Sequence, residues 1–462
     1  MKHEAQNVNT GILLAVVMIS SFFNPFMGSA VTIALPSIST ELNMNAVGTS
    51  WIAMSFLLSA AVFLVPLGKL ADILGRKRML LYGNVFFTIA TLFCSFATNG
   101  TMLIVARFLQ GIGSAMSLSS GMAIIISAFP PEKRGTIIGW NTTAVYAGLS
   151  AAPLLGGFLT RNYGWHSLFY VNAMAGILVI AGIIYGVKAE WAEAKNDTFD
   201  IIGSLIYMPS MMALMYGFSK LPEKSAVLLT AAGLTGLIVF VFWELRQKSP
   251  VLDIALFSRN RIFAFSNLAA LINYAATFGI TFVLSLYLQN VRGLDPLNAG
   301  LLLVAQPVMM AIVASVSGRL SDRIDSQILS STGMAIIVTG LISLVFLKAN
   351  TGNLYLMITL FVLGTGFGLF SSPNTNSVMS SVEKRFLGTA SATLGTMRLT
   401  GQTFSMAIAA MAIHIFIGNS TIKGNSTQFM GSVRVIFIVF AVLCTLGVFA
   451  SLARGKKKTA II

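Results

Sequence analysis

Length, composition and charge exclude several classes of protein. The chain has 462 residues, of which 56% are hydrophobic and 10% are charged, whereas soluble proteins carry about 25% charged residues. A soluble enzyme, a disordered chain and a disulfide framework are therefore excluded, and we expect Cys94 and Cys444 to be unpaired. The net charge of +15 does not indicate nucleic-acid binding, because the basic residues are scattered in short segments between long apolar runs.

The chain contains fourteen apolar runs that are long enough to cross a membrane as helices, which takes about 20 residues each. In chain order, the runs cover residues 11–38, 46–73, 79–98, 101–128, 136–160, 167–187, 201–219, 226–245, 262–290, 297–320, 328–348, 353–380, 387–418 and 431–453. The sequence therefore predicts an all-α integral membrane protein.

Lysine and arginine are distributed unevenly over the segments that join these runs. If the N-terminus is placed in the cytoplasm, 21 of them fall on the inner side, seven fall on the outer side, and two lie within runs. Basic residues concentrate on the cytoplasmic side of membrane proteins. We therefore expect a multi-pass protein of the cytoplasmic membrane with both termini in the cytoplasm.

An internal repeat divides the chain into two halves. Gly68-Lys69-Leu70-Ala71-Asp72 returns 250 residues later as Gly318-Arg319-Leu320-Ser321-Asp322, and three glycines return 253 residues later (Gly111 and Gly364, Gly113 and Gly366, Gly148 and Gly401). Two halves of six spans are typical of transporters that bind their substrate near the midplane. We expect an N-terminal six-helix bundle (1–190), a linker with helices 7 and 8 (191–250), and a C-terminal six-helix bundle with a basic cytoplasmic tail (251–462).

The segment between runs 2 and 3 carries a family resemblance. Gly68-Lys69-Leu70-Ala71-Asp72-Ile73-Leu74-Gly75-Arg76-Lys77-Arg78 resembles the loop 2–3 signature of the major facilitator superfamily. Glycines let helix ends pack closely, and an Asp can cap a helix and pair with an Arg. The resemblance implies the major facilitator fold, with two six-helix bundles and a two-helix linker hairpin, and a gate that closes the cytoplasmic side. The implied gating residues are Gly68, Asp72, Gly75, Arg76, Arg78, Gly318 and Asp322.

Runs 4 and 5 resemble two further signatures of the superfamily. Arg107-Phe108-Leu109-Gln110-Gly111-Ile112-Gly113 is similar to its arginine-bearing motif, which implies that Arg107, together with Asp72, takes part in proton coupling. An Arg inside a span is costly and is usually functional, although one near the span end can also reach outward. Run 5 resembles the antiporter signature through Gly139, Gly148, Ala152, Pro153, Gly156 and Gly157, with Ala152 in place of a glycine.

A third resemblance indicates a subgroup. Trp165-His166-Ser167-Leu168-Phe169-Tyr170-Val171-Asn172 is similar to the entry of span 6 in the fourteen-helix drug:proton antiporters. The span count and the opening of span 7, with Phe199-Asp200 followed by Gly203, fit the same group, which implies multidrug efflux and drug resistance.

The chain departs from that group in its central charges. Members often carry an Asp in span 1, where this chain has Met27, and all fifteen acidic residues fall in loops or at span ends. The central charge is positive, because Arg398 lies about 15 Å from the cytoplasmic end of span 13. Arg398 can bind a carboxylate or phosphate of the substrate, or it can be a structural residue that bonds backbone carbonyls or Gln402.

Polar and aromatic residues within the spans are candidates to line the substrate site, although any one of them can instead bond a neighbouring helix. The substrate-binding candidates are Asn24, Met27, Tyr146, Asn273, Tyr274, Gln306, Asn374, Arg398 and Gln402.

The expected function is secondary active transport. We expect the export of amphipathic drugs or toxic organic compounds by alternating access, in exchange for protons. Two alternatives stay open: an exporter of an anionic metabolite or lipid that uses Arg398, and a non-transporting membrane sensor. The sequence lacks an ATPase phosphate loop and a Cys/His cluster, so we expect no enzyme activity, cofactor or metal. The expected partners are the lipid bilayer, a small amphipathic substrate and protons, with no nucleic acid, and we expect a monomer.

Overall fold

The computed structural model describes residues 10–44, 46–219, 221, 223–294, 296–417 and 425–455. Within these ranges, fourteen helices are long and apolar enough to cross a membrane, and no strand occurs. We label them α1 (Thr10–Leu35), α2 (Trp51–Leu74), α3 (Arg76–Ser95), α4 (Gly100–Ala128), α5 (Pro131–Tyr163), α6 (His166–Gly186), α7 (Ile201–Phe218), α8 (Lys224–Glu244), α9 (Arg261–Val291), α10 (Asn298–Leu320), α11 (Ser326–Val345), α12 (Asn353–Ser380), α13 (Lys384–Ile417) and α14 (Ser426–Ala453). The predicted all-α membrane fold is confirmed. Lys456, Lys457 and Lys458 of the predicted basic tail lie outside the described residues.

The helix that contains α1 continues to Glu41, and the helix that contains α2 begins at Ala46. The helix starts differ from the sequence prediction by up to five residues, at α5 (Pro131 and not 136) and α14 (Ser426 and not 431). Between α2 and α3 the difference removes most of the predicted loop, since α3 begins at Arg76 and not at residue 79. Gly75 is the single residue between the two helices and has a φ of 113°, a value that favours glycine. The basic residues Arg76–Arg78 therefore form the first turn of α3.

Two of the spans contain a π-helical turn. In α5 the turn covers Ala152–Gly156, and in α9 it covers Tyr287–Val291. Pro153 explains the first turn, because proline has no N–H to donate within a regular α-helix. Short helical elements also occur at Pro131–Lys133, Ala255–Arg259 and Lys384–Phe386.

The described chain forms two compact units. The first unit comprises the described residues up to Met212, together with Thr235–Ile254 and Val382–Thr396. The second unit comprises Ala213–Leu234, Ala255–Ser381 and the described residues from Met397 onward. The first part of α13 therefore belongs to the first unit, with α1–α6, and the rest of α13 belongs to the second.

Glycines bring helices of the first unit into backbone contact. A Cβ on Gly111 of α4 would lie 2.4 Å from the carbonyl oxygen of Phe56 in α2. A Cβ on Gly148 of α5 would lie 2.2 Å from the carbonyl oxygen of Phe22 in α1. Both distances are too short for any side chain, so these helix pairs require glycine.

The repeated glycines have the same role in the second unit. A Cβ on Gly364 of α12 would lie 2.5 Å from the carbonyl oxygen of Gln306 in α10, and one on Gly401 of α13 would lie 2.5 Å from that of Leu271 in α9. The α2–α4 and α1–α5 contacts of the first unit thus have counterparts in α10–α12 and α9–α13. The internal sequence repeat corresponds to a repeated scheme of helix packing.

Candidate gate and transport sites

A buried ion pair in the first unit joins the end of α2 to the beginning of α13. Asp72 and Arg76 are both 0% exposed, and the Arg76 guanidinium donates to the Asp72 carboxylate at 2.7 and 2.9 Å. The backbone N–H groups of Gly388 and Thr389 donate to the same carboxylate, each at 2.9 Å, and the Thr389 hydroxyl donates at 3.2 Å. Arg76 also donates to the Lys384 carbonyl. We call Asp72, Arg76, Gly388 and Thr389 the Asp72 cluster. These charge-assisted bonds fix the start of α13 against α2.

Close packing at Gly68 extends this contact. A Cβ on Gly68 would lie 2.4 Å from the Cβ of Ala392 and 2.9 Å from the Gly388 carbonyl oxygen. A larger residue at position 68 would therefore push α13 away from α2.

Glu190 caps the first turn of α3. Its carboxylate accepts hydrogen bonds from the backbone N–H groups of Lys77 at 2.9 Å and Arg78 at 3.2 Å. It also lies 2.5 Å from the position that a Cβ on Gly75 would take. The Arg78 side chain is exposed and lies 3.8 Å from Glu190. A carboxylate at a helix N-terminus is favoured by the helix dipole. Glu190 lies outside the sequence motifs that predict the gate.

The second copy of the motif differs from the first. Gly318 is buried within α10, whereas Asp322 follows the helix and is only partly buried. The N–H of Asp322 donates to the Arg319 carbonyl at 3.3 Å, as part of a turn. Both residues belong to the second unit. The buried carboxylate network is therefore a feature of Asp72, and the structure gives Asp322 a different environment.

Arg107 is buried among α2, α3 and α4. It is 1% exposed, and its Nε donates to the Ile52 carbonyl at 3.1 Å. Another guanidinium nitrogen donates to Gln110, whose amide in turn donates to the Thr91 hydroxyl at 2.7 Å. The guanidinium also lies 4.4 Å from the centre of the Phe56 ring. Arg107 therefore does not reach outward, and among the described residues no carboxylate forms an ion pair with it.

The antiporter residues of α5 lie along α1. Gly148 and Gly156 both approach α1 closely, and Ala152 is fully buried in the same apolar cluster as Ala30. Gly139 is also buried. Gly157 has open space beside it, and Pro153 begins the π-helical turn. Four of the six motif residues are thus buried, three of them against α1.

The first unit holds three of the predicted substrate contacts. The Asn24 amide oxygen accepts a hydrogen bond from Ser114 of α4 at 2.8 Å, and Asn24 lines a small cavity with Asn84 and Asn172. Tyr146 is 4% exposed, and Met27 is fully buried in an apolar cluster with Phe26 and Trp165. The structure therefore gives Asn24 a polar environment and Met27 a place in the apolar core.

Arg398 is half-buried in the second unit and lies beside aromatic rings. One of its terminal nitrogens donates to the Thr375 hydroxyl at 2.5 Å. Its guanidinium lies 5.8 Å from the centre of the Tyr274 ring, which itself packs edge-on against Phe367. Its Nε is buried without a hydrogen-bond partner, and no described carboxylate forms an ion pair with it.

Buried amides lie on the neighbouring helices of the same unit. Asn273 is 0% exposed, and neither its amide nitrogen nor its amide oxygen has a hydrogen-bond partner. Asn374 is 1% exposed and donates to the Ser266 carbonyl at 3.1 Å, while its own oxygen has no partner. Gln306 is 6% exposed, and Gln402 is half-buried. Buried polar atoms are nearly always hydrogen-bonded, so the free groups of Asn273 and Asn374 indicate a site that water or a ligand can complete.

The family follows from a comparison with known proteins. The family model of the Major Facilitator Superfamily matches residues 17–406. The chain belongs to the major facilitator superfamily. It is therefore a membrane transporter and not an enzyme.

Individual relatives cover most of the chain. The riboflavin transporter RibZ of Clostridioides difficile (strain 630) is 26% identical over 94% of this chain and 95% of its own length. The multidrug resistance protein Stp of Mycobacterium tuberculosis (strain CDC 1551 / Oshkosh) is 31% identical over 82% of this chain and 71% of its own length. The crystal structure of the human organic anion transporter MFSD10 (TETRAN) matches with a TM-score of 0.68 at 14% identity, and the match covers 96% of this chain and 98% of that one. This last likeness concerns the fold.

Proposed function

We propose that the protein exports amphipathic drugs or toxic organic compounds from the cytoplasm by alternating access, in exchange for protons. The observation that carries the proposal is the Asp72 cluster, in which a fully buried ion pair also binds two backbone N–H groups of α13. Such a cluster suits a latch with two states, since its bonds form or break together. The multidrug relative Stp supports the same substrate class. We place the protein in the cytoplasmic membrane as a monomer, with both termini in the cytoplasm.

The latch lies at the predicted cytoplasmic end of the first unit. In the closed state, Asp72 holds Gly388 and Thr389 at the start of α13, and Gly68 lets α13 approach α2. Opening that end requires these bonds to break, which exposes the Asp72 and Arg76 charges to water. We propose Gly75 and Arg78 as residues that shape the same latch, with Gly318 and Asp322 as its counterparts in the second unit.

Arg107 and α5 are the proposed coupling elements. Arg107 holds a charge inside the membrane span with neutral oxygens as its described partners. A proton or a charged substrate that enters nearby changes the energy of that guanidinium strongly, because the surroundings are apolar. The glycine contacts of α5 with α1 would transmit such a change between helices. Asp72 is the proposed second participant, as a carboxylate at the latch.

The proposed substrate contacts in the second unit are Arg398, Tyr274, Asn273, Asn374, Gln306 and Gln402. The unpartnered polar atoms of Arg398, Asn273 and Asn374 can bind a substrate with hydrogen-bonding groups. The Tyr274 and Phe367 rings can hold an aromatic system. In the first unit we propose Asn24 and Tyr146 as further substrate contacts. Met27 lies in the apolar core, and we propose a packing role for it.

A second candidate function is the export of an organic anion or an anionic lipid. One observation favours it, namely that Arg398 has a buried Nε without a partner and no described carboxylate beside it. Charged residues inside a membrane usually pair with each other, so an anionic substrate would supply the missing charge.

Everted membrane vesicles test both candidates. We would impose a proton gradient, add cationic, neutral and anionic amphiphiles one at a time, and record the loss of the gradient. Loss on adding cationic or neutral compounds, also in Arg398→Ala, supports the multidrug exporter. Loss on adding anions only, absent in Arg398→Ala but present in the control Arg434→Gln at an exposed position of α14, supports the anion exporter. No response to any compound contradicts proton-coupled export and favours a non-transporting sensor.

A further inference from the structure

Two carboxylates face each other where α7 begins and α8 ends, within the first unit. Asp200 precedes α7, and Glu244 is the last residue of α8. One oxygen of each carboxylate lies within 2.5 Å of the position that a Cβ on Gly203 would take. Glycine at this position therefore leaves room for the two carboxylates to approach each other.

Glu244 is buried, and one of its oxygens has no described partner. The side chain is 2% exposed, and its Oε2 accepts a hydrogen bond from the backbone N–H of Leu252 at 3.3 Å. Its Oε1, the oxygen that faces Asp200, has no hydrogen-bond partner. The matching oxygen of Asp200 accepts a hydrogen bond from the Trp243 indole at 2.8 Å. Because Glu244 Oε1 and Asp200 Oδ2 both lie within 2.5 Å of the same point, the two oxygens are close neighbours, and a hydrogen bond between them requires one carboxylate to be protonated.

The surrounding charges do not balance two carboxylates. Lys69 acts electrostatically on Glu244, but its ammonium group forms an ion pair with Asp197 at 2.5 Å. Glu244 also lies at the C-terminal end of α8, where the helix dipole disfavours a negative charge. The other oxygen of Asp200 caps α7 by accepting a hydrogen bond from the Gly203 N–H at 2.9 Å. The repulsion between two neighbouring buried carboxylates is commonly relieved when one of them takes up a proton.

We propose that Asp200 and Glu244 share one proton, with Glu244 as the protonated member, and form a proton-binding site at the predicted cytoplasmic end of the α7–α8 hairpin. The site would supply a proton-binding carboxylate that the spans lack near the midplane. It also gives the hairpin a role beyond joining the two halves.

The loop that leads to Asp200 is attached to the segment that carries the latch. Lys69 pairs with Asp197, the Ala194 N–H donates to the Asp72 carbonyl at 3.1 Å, and the Arg76 N–H donates to the Trp191 carbonyl at 2.9 Å. When the pair releases its proton, a second negative charge appears beside Lys69 and competes with Asp197 for it. Proton release would therefore loosen the loop from the latch segment, and the proton-bound form would favour the closed latch.

Infrared spectroscopy of the purified, full-length protein tests the proton directly. The C=O stretch of a protonated carboxyl group is expected in the wild type at neutral pH and is expected to disappear as the pH is raised. Glu244→Gln should remove this band, and Asp200→Asn should change the pH at which it titrates. The control Glu193→Gln, which alters an exposed carboxylate in the same loop, should leave the band unchanged. A band that is identical in wild type, Glu244→Gln and Asp200→Asn would overturn the proposal.

The link to the latch has its own readout, which needs no transported compound. A cysteine at Ser391, which is buried and donates to the Leu118 carbonyl at 3.1 Å, reports opening through its labelling by a membrane-impermeant maleimide. Labelling is expected to rise with cytoplasmic-side pH in the wild type and to stay low at all pH values in Glu244→Gln. The proposed link would be overturned if labelling in Glu244→Gln depended on pH as it does in the wild type. It would also be overturned if labelling depended on added Na⁺ or Mg²⁺ and not on pH. The link to the latch rests on the proposed function. The infrared band can be measured even if no transported compound is found, so a failure of the proton site and a failure of the proposed function are distinguishable.

Discussion

Asparagine at position 72 keeps the size of the side chain but removes the charge that holds the Asp72 cluster together. The carboxylate accepts bonds from Arg76, Gly388 and Thr389, and both charged groups are fully buried. An amide has only one acceptor oxygen, and its NH₂ group would face an N–H donor. Removing one partner of a buried ion pair costs about 3–5 kcal/mol. That cost shifts an equilibrium by about two orders of magnitude or more, here toward the open latch.

The assay for this substitution is the labelling of a cysteine at Ser391 in everted vesicles. The native Cys94 and Cys444 are buried, so the background is expected to be low. Asp72→Asn should raise the labelling rate by about tenfold or more, because the rate follows the fraction of open molecules. The exposed control Glu193→Gln should label like the wild type.

One result would refute this reasoning. If Asp72→Asn purifies as a folded monomer and labels at the same rate as Glu193→Gln, the Asp72 cluster does not hold the start of α13. A second cysteine, placed in the core of the second unit, serves as the control for unfolding. If Asp72→Asn raises the labelling of this cysteine as much as that of the cysteine at Ser391, the protein is generally unfolded.

Three further predictions concern packing, coupling and charge. Gly148→Ala should lower the free energy of unfolding by about 1–3 kcal/mol, because the new Cβ meets a backbone carbonyl of α1, whereas Gly157→Ala, beside open space, should not change the thermal midpoint of the purified protein. Arg107→Lys should abolish compound-induced loss of the proton gradient without lowering protein levels. The reason is that an ammonium group cannot contact Ile52, Gln110 and the Phe56 ring at once, as the guanidinium does. Normal coupling in this variant would contradict the role of Arg107 in proton coupling. Arg398→Gln should weaken the binding of anionic amphiphiles by about 10-fold to 100-fold, because one charged hydrogen bond is lost. The control Arg434→Gln should leave this binding unchanged. Equal weakening in both variants would contradict a specific anion site at Arg398.

The helix architecture could be predicted from the sequence because it depends on local properties. Length and hydropathy of each run are sufficient to find all fourteen spans. The glycine repeat was visible as a spacing, and the structure explains it, since Gly111 and Gly364 close equivalent helix pairs in their own units. Helix ends were less predictable, because a single glycine, Gly75, lets α3 begin directly after α2.

The partners of the candidate site residues could not be predicted in the same way. The apolar run 101–128 places Arg107 within a span, but it does not show that Ile52 and Gln110 accept its hydrogen bonds. Asp200 and Glu244 are 44 positions apart in the sequence. They come close together because α8 runs antiparallel to α7, so that α8 ends beside the start of α7. The available signals were their position at the ends of two adjacent spans and, for Asp200, the family resemblance at the opening of span 7. Met27 illustrates the opposite case, since alignment with a charged position suggested a binding role and the structure gives it a place in an apolar cluster.

The most direct test of the central claim measures proton flux and compound flux in the same proteoliposomes. An imposed proton gradient should drive the accumulation of a transported amphiphile, and a gradient of that amphiphile should in turn drive protons the other way. Both fluxes should be lost together in Arg107→Lys, and a protonophore should abolish the accumulation that the proton gradient drives. Accumulation that persists with the protonophore, or a compound gradient that moves no protons through the purified wild-type protein, would contradict the account.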